Sequence, residues 1–219
     1  MANYHPYDEL LMSFAAGQLP NSLGLMVSCH LEKCSACRDK VKTYEALGGD
    51  ILAEAEQVDV SQDLLSRMLD RLDEPEPAND RLMGQHSSQG AGSSKIPRPL
   101  RRFIPSDFDE LEWSGMSRNI KEFTLKIDDE QYTTKLYRIK AGKVLPEHTH
   151  EGNEFTLVME GSFSDRTCDY HAGDFILADT KTTHQPRAAM DSDCICLAVM
   201  DAPLKMTGMF GRMLNPFLR

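Results

Sequence analysis

Residues near the start of the chain have the types and the spacing of a metal site. His30, Cys34 and Cys37 form an H-x3-C-x2-C pattern, and a C-x2-C pair at the start of a helix places two thiolates beside one ion. Structural zinc sites take four Cys or His ligands in a tetrahedron, so a fourth ligand is needed. His5 is the natural candidate because a compact helical bundle can bring it alongside. Cys29 competes with it, although neighbouring residues on a helix point in different directions. A redox pair or two packed thiols is the alternative to zinc.

A second group of potential ligands lies in the C-terminal half. The stretch from Gly142 to Gly161 has the pattern G-x5-H-x-H-x3-E-x6-G, and a further histidine lies eleven residues after Gly173. Residues i and i+2 of a strand point to the same side, so the first two histidines would face one interior, and the glutamate would return to it. Three imidazoles and one carboxylate suit a divalent transition metal such as Zn, Mn, Fe, Ni or Cu. The predicted ligands are His148, His150, Glu154 and His184.

The remaining cysteines show no comparable pattern. Cys194 and Cys196 are two residues apart in a predicted strand, which puts their Cα atoms about 6.5–7 Å apart, at the limit for a disulfide. We interpret them as buried strand thiols in preference to a redox switch. Cys168 lies near a predicted turn and has no evident partner in the sequence.

The predicted elements that carry the first group of potential metal ligands are helices. Apolar residues recur at helical spacing over residues 6–16, 20–30 and 35–47, and Gly17 and the pair Gly48 and Gly49 are placed to end the first and third helices. Ser61 suits the N-cap of a fourth helix, whose apolar stripe either packs on the other helices or is offered to a partner. The stripe contains Leu64, Leu65, Met68, Leu69 and Leu72.

The second group lies in a region of predicted strands. Residues 76–102 are rich in Pro, Gly, Ser and Gln and predict a flexible linker. Beyond it, short β-branched and aromatic runs predict strands at 121–127, 133–139, 155–159, 174–178, 185–189 and 194–200. The fold class is therefore α+β in two domains, a small all-α zinc-binding helical bundle at 1–75 and an all-β jelly-roll barrel at 103–219. The segment 204–219 is expected to lie against the barrel.

Composition and charge limit the function. Hydrophobic residues at 41% and charged residues at 26% are typical of a globular protein. Since there is no 18-residue apolar run and no secretory signal, we expect a cytoplasmic protein with no membrane partner.

Nearly all of the net charge of −10 falls on residues 1–80, which hold 15 Asp and Glu against 6 Lys and Arg. Such a surface repels phosphate backbones, so no direct nucleic-acid binding is expected, whereas it attracts a basic protein.

The second motif resembles the cupin signature over roughly residues 103–200. Its first half matches at every family position, whereas Asp179 and Lys181 stand where many cupins have Pro and Gly before the last histidine. A helical H…H-x3-C-x2-C domain joined through a linker to a cupin resembles, over essentially the whole chain, the ChrR family of zinc-binding anti-sigma factors. The resemblance implies zinc at His5, His30, Cys34 and Cys37, and zinc or another divalent transition metal at His148, His150, Glu154 and His184.

The resemblance also implies a function. The N-terminal zinc domain would bind and occlude a sigma factor of the extracytoplasmic-function type, and the cupin would be needed for the response to singlet oxygen or organic peroxide. The alternative is a cupin metalloenzyme, a dioxygenase or isomerase, with a zinc-bundle appendage. The first 80 residues favour the regulator because an enzyme of this size does not need them. Residues 1–85 are predicted to suffice for sigma binding. Many cupins dimerise, so a homodimer through the cupin and a one-to-one complex with the sigma factor both stay open.

Overall fold

The computed structural model describes residues 2–72, 96–104, 107–115 and 117–206. The contacts divide the chain into two compact units, one made of Met1–Gly48 and Lys95–Arg219 and the other of Gly49–Ser94. The first unit thus draws on both predicted domains, 1–75 and 103–219, and independent folding of each domain stays a prediction. Most of the predicted linker, and the end of the C-terminal segment at 207–219, lie outside the described residues.

The described N-terminal part is helical, as predicted. Helix α1 ends before Gly17, whose φ of 67° suits glycine. Helix α2 starts directly after Pro20 and stops at Cys34, which is extended with φ −110° and ψ 104°. This break brings the last turn of α2 beside the first turn of α3. None of the helices in the described residues is long and apolar enough to cross a membrane. Their bounds are α1 Asp8–Ala15, α2 Asn21–Lys33, α3 Ser35–Glu54 and α4 Leu64–Leu72.

The prediction that Gly48 and Gly49 end the third helix is wrong, because α3 continues to Glu54. Neither glycine has a positive φ, so neither forms the left-handed turn that ends many helices. A glycine inside a helix costs about 1 kcal/mol relative to alanine. The better helix formers on both sides of the pair offset this cost.

Antiparallel strands make up most of the first unit after residue 113. One sheet has six strands in the order β1-β2-β3-β11-β5-β8, and two sheets have three strands each, in the orders β10-β6-β7 and β12-β4-β9. The predicted strands at 133–139 and 194–200 coincide with β3 and β11. Strand β11 is buried along its whole length, as expected for a continuous apolar run. The bounds are β1 Ser114–Gly115, β2 Ile120–Thr124, β3 Thr133–Ile139, β4 His148–His150, β5 Glu154–Glu160, β6 Ser162–Ser164, β7 Asp169–His171, β8 Phe175–Ala178, β9 Thr183–His184, β10 Arg187–Ala188, β11 Cys194–Met200 and β12 Leu204–Met206.

The helices and strands of the first unit share one hydrophobic core. Leu11 of α1 and Met26 and Val27 of α2 are fully buried. They belong to the same cluster of buried side chains as Phe175 of β8 and Leu197 of β11. Because burial of an aliphatic side chain contributes about 1.5–3 kcal/mol, this shared core stabilises α1 and α2 against the strands.

The end of the predicted linker, residues 96–102, packs on the first unit and is not the flexible segment that the sequence predicted. Arg98–Arg102 forms a 3-10 helix in which Leu100 is fully buried, and Ile96 just before it is 2% exposed. The Arg98 backbone N–H donates to the Glu32 carboxylate of α2 at 3.1 Å. Residues 96–102 are therefore part of the first unit, because the two apolar side chains find places in its core.

Candidate metal sites

The structure brings together the four side chains of the first predicted site, His5, His30, Cys34 and Cys37, whose ligand atoms all lie within 4.8 Å of one another. His5 Nδ1 is 3.4 Å from the sulfur atoms of both Cys34 and Cys37. His30 Nε2 is 3.3 Å from the Cys37 sulfur. Cys29 is buried but is not in this group. The geometry therefore favours His5 over Cys29 as the fourth ligand.

Local structure explains how the first site assembles. His30 lies in the last turn of α2, Cys37 lies in the first turn of α3, and Cys34 forms the extended break between them. His5 precedes α1 and is exposed, whereas the other three are buried. Two thiols and two imidazoles form a donor set that suits zinc, so the residues present fit this ion.

Burial of Cys37 and His30 determines the protonation states that they adopt when no metal is bound at the first site. Burial, with the neighbouring Cys34 thiol, raises the pKa of Cys37 to about 12. Burial lowers the pKa of His30, so its imidazole is neutral near pH 7. A buried thiolate needs a nearby cation, and a dication supplies that charge when it binds and displaces the thiol proton.

The second nitrogen of His30 contacts the strand region of the same unit. His30 Nδ1 donates to the Gly173 carbonyl at 2.8 Å, in the turn before β8. A hydrogen bond of this kind fixes the tautomer and the ring orientation of a histidine ligand. It leaves Nε2 directed at Cys37.

Asp174 holds the segment that carries His5. Its carboxylate is fully buried and accepts backbone N–H bonds from Asn3 at 2.5 Å, Tyr4 at 3.1 Å and His171 at 2.8 Å. The backbone N–H that follows Asp174 along the chain donates to the Tyr4 carbonyl at 3.0 Å. The sequence predicted Asp174 only as the first residue of a strand, because nothing local distinguishes a buried aspartate from a solvated one.

The structure also gathers three side chains of the second predicted site, His148, His150 and His184. His148 and His184 are cross-strand partners on β4 and β9, with their Nε2 atoms 2.9 Å apart. His150 Nε2 lies 3.3 Å from His184 Nε2. The i, i+2 spacing places both β4 histidines in the interior, as predicted.

The outer nitrogens of His148 and His184 have partners of their own. His148 Nδ1 donates to the backbone carbonyl of Pro146 at 2.9 Å, and His184 Nδ1 lies 3.8 Å from the Asp165 carboxylate. Burial, with the neighbouring histidines, lowers the pKa of His150 and of His184 to about 4. The Nε2 atoms of His148 and His150 both lie within 3.3 Å of His184 Nε2, and the rings of His150 and His184 are neutral at pH 7, as a metal ligand requires.

Glu154, the fourth predicted ligand of the second site, is not in the group of converging ligand atoms. One of its oxygens accepts a hydrogen bond from the Thr156 hydroxyl at 3.0 Å. The other lies 3.5 Å from His150 Nδ1, and neither of these two buried atoms has a hydrogen-bond partner among the described residues. Burial raises the pKa of Glu154 to about 7. A buried carboxylate oxygen that lacks a hydrogen-bond partner and lies beside three imidazoles is a suitable ligand for a divalent transition metal.

A cavity of about 80 Å³ adjoins the second site. His148, Glu154 and His184 line it on one side, and mainly apolar residues, including Tyr137 of the six-stranded sheet and Phe163 of β6, line the remainder. Cys196 also lines this cavity, which the sequence did not indicate. The sulfur atoms of Cys194 and Cys196 are 3.6 Å apart, and both thiols are free and buried, as expected for strand thiols. Cys168 is half-buried and also free.

Comparison with known proteins agrees with this arrangement. The profile described as the ChrR Cupin-like domain matches residues 102–203. The anti-sigma-E factor ChrR of Cereibacter sphaeroides is 31% identical over 216 residues, which are 99% of this chain and 98% of the relative. The crystal structure of Rhodobacter sphaeroides SigE in complex with the anti-sigma ChrR contains a chain that is 30% identical, with a TM-score of 0.78 over 92% of this chain and 100% of that one. The chain belongs to the ChrR family of anti-sigma factors.

Proposed function

We propose that this protein is a cytoplasmic anti-sigma factor that binds and inhibits a sigma factor of the extracytoplasmic-function type through its N-terminal zinc domain. In this proposal, singlet oxygen or organic peroxide acts on the metal-binding cupin domain, and the sigma factor is released. Membership of a family of anti-sigma factors confirms the prediction of a regulator rather than an enzyme. It also decides against the alternative of a cupin dioxygenase or isomerase.

The sequence comparison and the structure comparison support the class of partner. The Cereibacter sphaeroides relative is named an anti-sigma-E factor, and the Rhodobacter sphaeroides structure is a complex of SigE with ChrR. Both similarities extend over nearly the whole chain, so they include the N-terminal region as well as the cupin. A sigma factor is therefore the partner to test first.

The apolar face of α4 is the observation that carries the proposal. Leu65, Met68, Leu69 and Leu72 recur at i, i+3, i+4 and i+7 and are 54–78% exposed. No residue of α4 is buried by the described part of the chain. A contiguous exposed apolar face is typical of an interaction surface, and an amphipathic helix of this kind binds in an apolar groove of its partner.

The charges around this face suit a basic partner. Residues 1–80 carry a net charge of −9, from 15 acidic and 6 basic residues. In and next to α4, Asp63 and Asp70 are exposed, and the pair between Asp63 and Arg67 at 3.3 Å is exposed as well. The promoter-binding surfaces of a sigma factor are basic because they contact DNA phosphates. An acidic helix with an apolar face could cover such a surface and speed the encounter with it.

The sigma-binding proposal is tested on the α4 face. Replacing Met68 and Leu69 with Gln should weaken binding of the full-length protein to its sigma factor about tenfold or more, because truncated anchor residues cost about 1–2 kcal/mol each. Arg67→Gln, on the opposite side of the same helix, is the matched control. Candidate sigma factors are first identified by co-expression and co-purification, and affinities are then measured by calorimetry. Equal affinities of the double variant and the control would contradict the proposal.

The geometry of the second site supports the sensor role. Three imidazole nitrogens converge, a carboxylate oxygen of Glu154 lacks a hydrogen-bond partner, and an apolar cavity beside them could admit a small oxidant. When bound, a transition metal would supply a Lewis-acidic or redox-active centre there. The histidines and Glu154 would hold it, while Pro146 and Asp165 keep the rings oriented.

A continuous set of contacts connects the two sites. Glu154 of β5 is the cross-strand partner of Ala178 on β8, and β8 follows the turn whose Gly173 carbonyl accepts the His30 hydrogen bond. Lys33, at the end of α2, donates to the Met159 carbonyl of β5 at 2.8 Å. A change at the second site would therefore reach the first site through β5, β8 and this turn, in addition to any effect through the linker.

A further inference from the structure

A pocket of about 410 Å³ opens on the six-stranded sheet, apart from both metal sites. Arg138 of β3 lines this pocket, whereas its neighbours Tyr137 and Ile139 line the cavity of the second site. Successive side chains of a strand point to opposite faces. The pocket and the cavity therefore lie on opposite faces of the sheet and can bind different ligands.

Four cationic side chains converge on the pocket: Arg118, Lys121, Arg138 and Lys140. Lys121 and Arg138 are cross-strand partners on β2 and β3, where like charges are destabilising. Among the described residues, no close ion pair joins Arg118, Lys121 or Lys140 to a carboxylate, and the nearby charge of Lys140 helps to lower the pKa of Asp193. A concentration of positive charge in a concave surface attracts an anion.

Arg138 is held so that one part of its guanidinium can receive a ligand. Its Nε is 3.0 Å from Asp193, and its Nη1 is 2.8 Å from Asp109. Asp193 also accepts the Ala141 backbone N–H at 3.0 Å, which fixes its carboxylate. The Asp109 side chain is 73% exposed and lies in the one-turn 3-10 helix Phe108–Glu110. An incoming anion can thus replace Asp109 at Nη1 while Asp193 keeps Nε.

Trp113 supplies an apolar wall to this pocket. Its indole N–H donates to the Phe108 carbonyl at 2.8 Å, which holds the ring in one orientation. A flat organic group can pack against such a ring. Trp113 is also the only tryptophan in the chain.

We propose that this pocket binds a small organic dianion, a phosphate ester or a dicarboxylate, with its charged group on Arg138 and its organic part against Trp113. A planar guanidinium pairs well with two oxygens of a phosphate or carboxylate. The volume of the pocket is within the range of small-molecule sites. This site is independent of the sigma-binding face and of both metal sites.

The fluorescence of Trp113 reports directly on the occupancy of this pocket in the full-length protein. The protein is titrated with phenyl phosphate and, separately, with succinate, at constant ionic strength. We expect a saturable fluorescence change and a matching calorimetric affinity for at least one compound, and no change with sodium chloride. The compound that binds more tightly identifies the ligand as a phosphate ester or a dicarboxylate.

Matched variants establish that binding occurs at this pocket. The double variant Lys121→Gln, Lys140→Gln should bind about tenfold more weakly because two charged contacts are lost. Lys126→Gln removes an exposed cation outside the pocket and should bind as the unsubstituted protein does, and thermal unfolding confirms that both variants fold. The proposal is overturned if neither compound binds up to roughly 10 mM, or if the double variant binds unchanged. It is overturned as well if an acidic peptide binds there and both small dianions do not.

Discussion

Cys29 and Cys37 are both buried and lie on consecutive helices, yet only Cys37 faces other potential ligands. Its sulfur is 3.3 Å from His30 Nε2 and 3.4 Å from His5 Nδ1. Burial raises the pKa of Cys29 to about 12, and no metal group of the described residues includes it. The two cysteines therefore form a natural pair for testing the first site.

Cys37→Ala should remove about one metal ion per chain and destabilise the N-terminal helices, since a structural site with three remaining donors binds zinc far more weakly. Cys29→Ala should retain the metal. The measurement is metal content by mass spectrometry after gel filtration, together with sigma affinity. Full metal content in a Cys34→Ala, Cys37→Ala double variant would show that the first site is assigned incorrectly.

Glu154 differs from its neighbour Glu151 in burial and not in chemistry. Glu154→Gln should lower the metal affinity of the second site about 10- to 100-fold, a range typical of groups that orient or complete a ligand set. We expect induction by singlet oxygen or organic peroxide to fall to the unstressed level while inhibition in unstressed cells persists. A sigma-dependent reporter gene and metal analysis provide the two measurements.

Glu151→Gln is the control for this experiment, because Glu151 is exposed and pairs only loosely, at 3.7 Å, with Lys205. Induction that survives in the Glu154 variant after the second site has lost its metal would exclude the cupin as the sensor. Loss of inhibition together with induction would instead assign the cupin a scaffolding role.

At the scale of elements, the turn between β7 and β8 connects the strands to the first site. Gly173 accepts from His30, and Asp174 accepts from the backbone of Asn3 and Tyr4. Asp174→Asn presents an N–H₂ group to backbone donors, which costs about 1–3 kcal/mol per unsatisfied buried group. We expect metal affinity at the first site to fall about tenfold or more, with the second site unchanged.

The matched control for Asp174 is Asp169→Asn, an exposed position on β7. Competition with a zinc chelator measures the affinity of each site, with the Cys37→Ala variant used to isolate the second. Equal chelator sensitivity of the Asp174 and Asp169 variants would show that the turn does not support the first site.

Two glycines should respond oppositely to the same substitution. Gly49→Ala places a Cβ in open space within α3 and should raise the free energy of unfolding by about 0.5–1 kcal/mol. Gly161→Ala should lower it, because Gly161 has φ +68° and a Cβ there would collide with the Asp193 carbonyl. Thermal unfolding of both variants measures the signs, and a destabilising Gly49→Ala would contradict the continuous helix.

At the scale of the whole molecule, the short-range features of the sequence were the most predictable. The i, i+2 histidines and the H-x3-C-x2-C spacing lie on single elements or across one helix break, so the motif spacing predicted His30, Cys34 and Cys37 together. The contact of His30 with Gly173 joins residues 143 positions apart, and periodicity says nothing about such pairs. The position of the Glu154 carboxylate, outside the three converging nitrogens, depends on side-chain packing that no spacing encodes.

The shared core of the first unit also bears on the fragment 1–85. We expect this fragment to unfold at a lower temperature than the full chain, because Leu11, Met26 and Val27 lose the strand residues with which they are buried. Circular dichroism at increasing temperature measures the difference, with zinc present in both samples. A fragment that unfolds at the same temperature as the full chain would show that the core contacts do not stabilise the helices.

The hydrogen bond from His30 to Gly173 has a consequence for synthesis on the ribosome. The chain must grow by 143 residues after His30 before its acceptor exists, which takes on the order of 10 s at bacterial elongation rates. During that interval a nascent chain already carries His5, Cys34 and Cys37, but lacks both the carbonyl that orients His30 and the carboxylate that holds Asn3 and Tyr4. A nascent chain should therefore acquire its full zinc affinity late, once about four fifths of its residues have been synthesised.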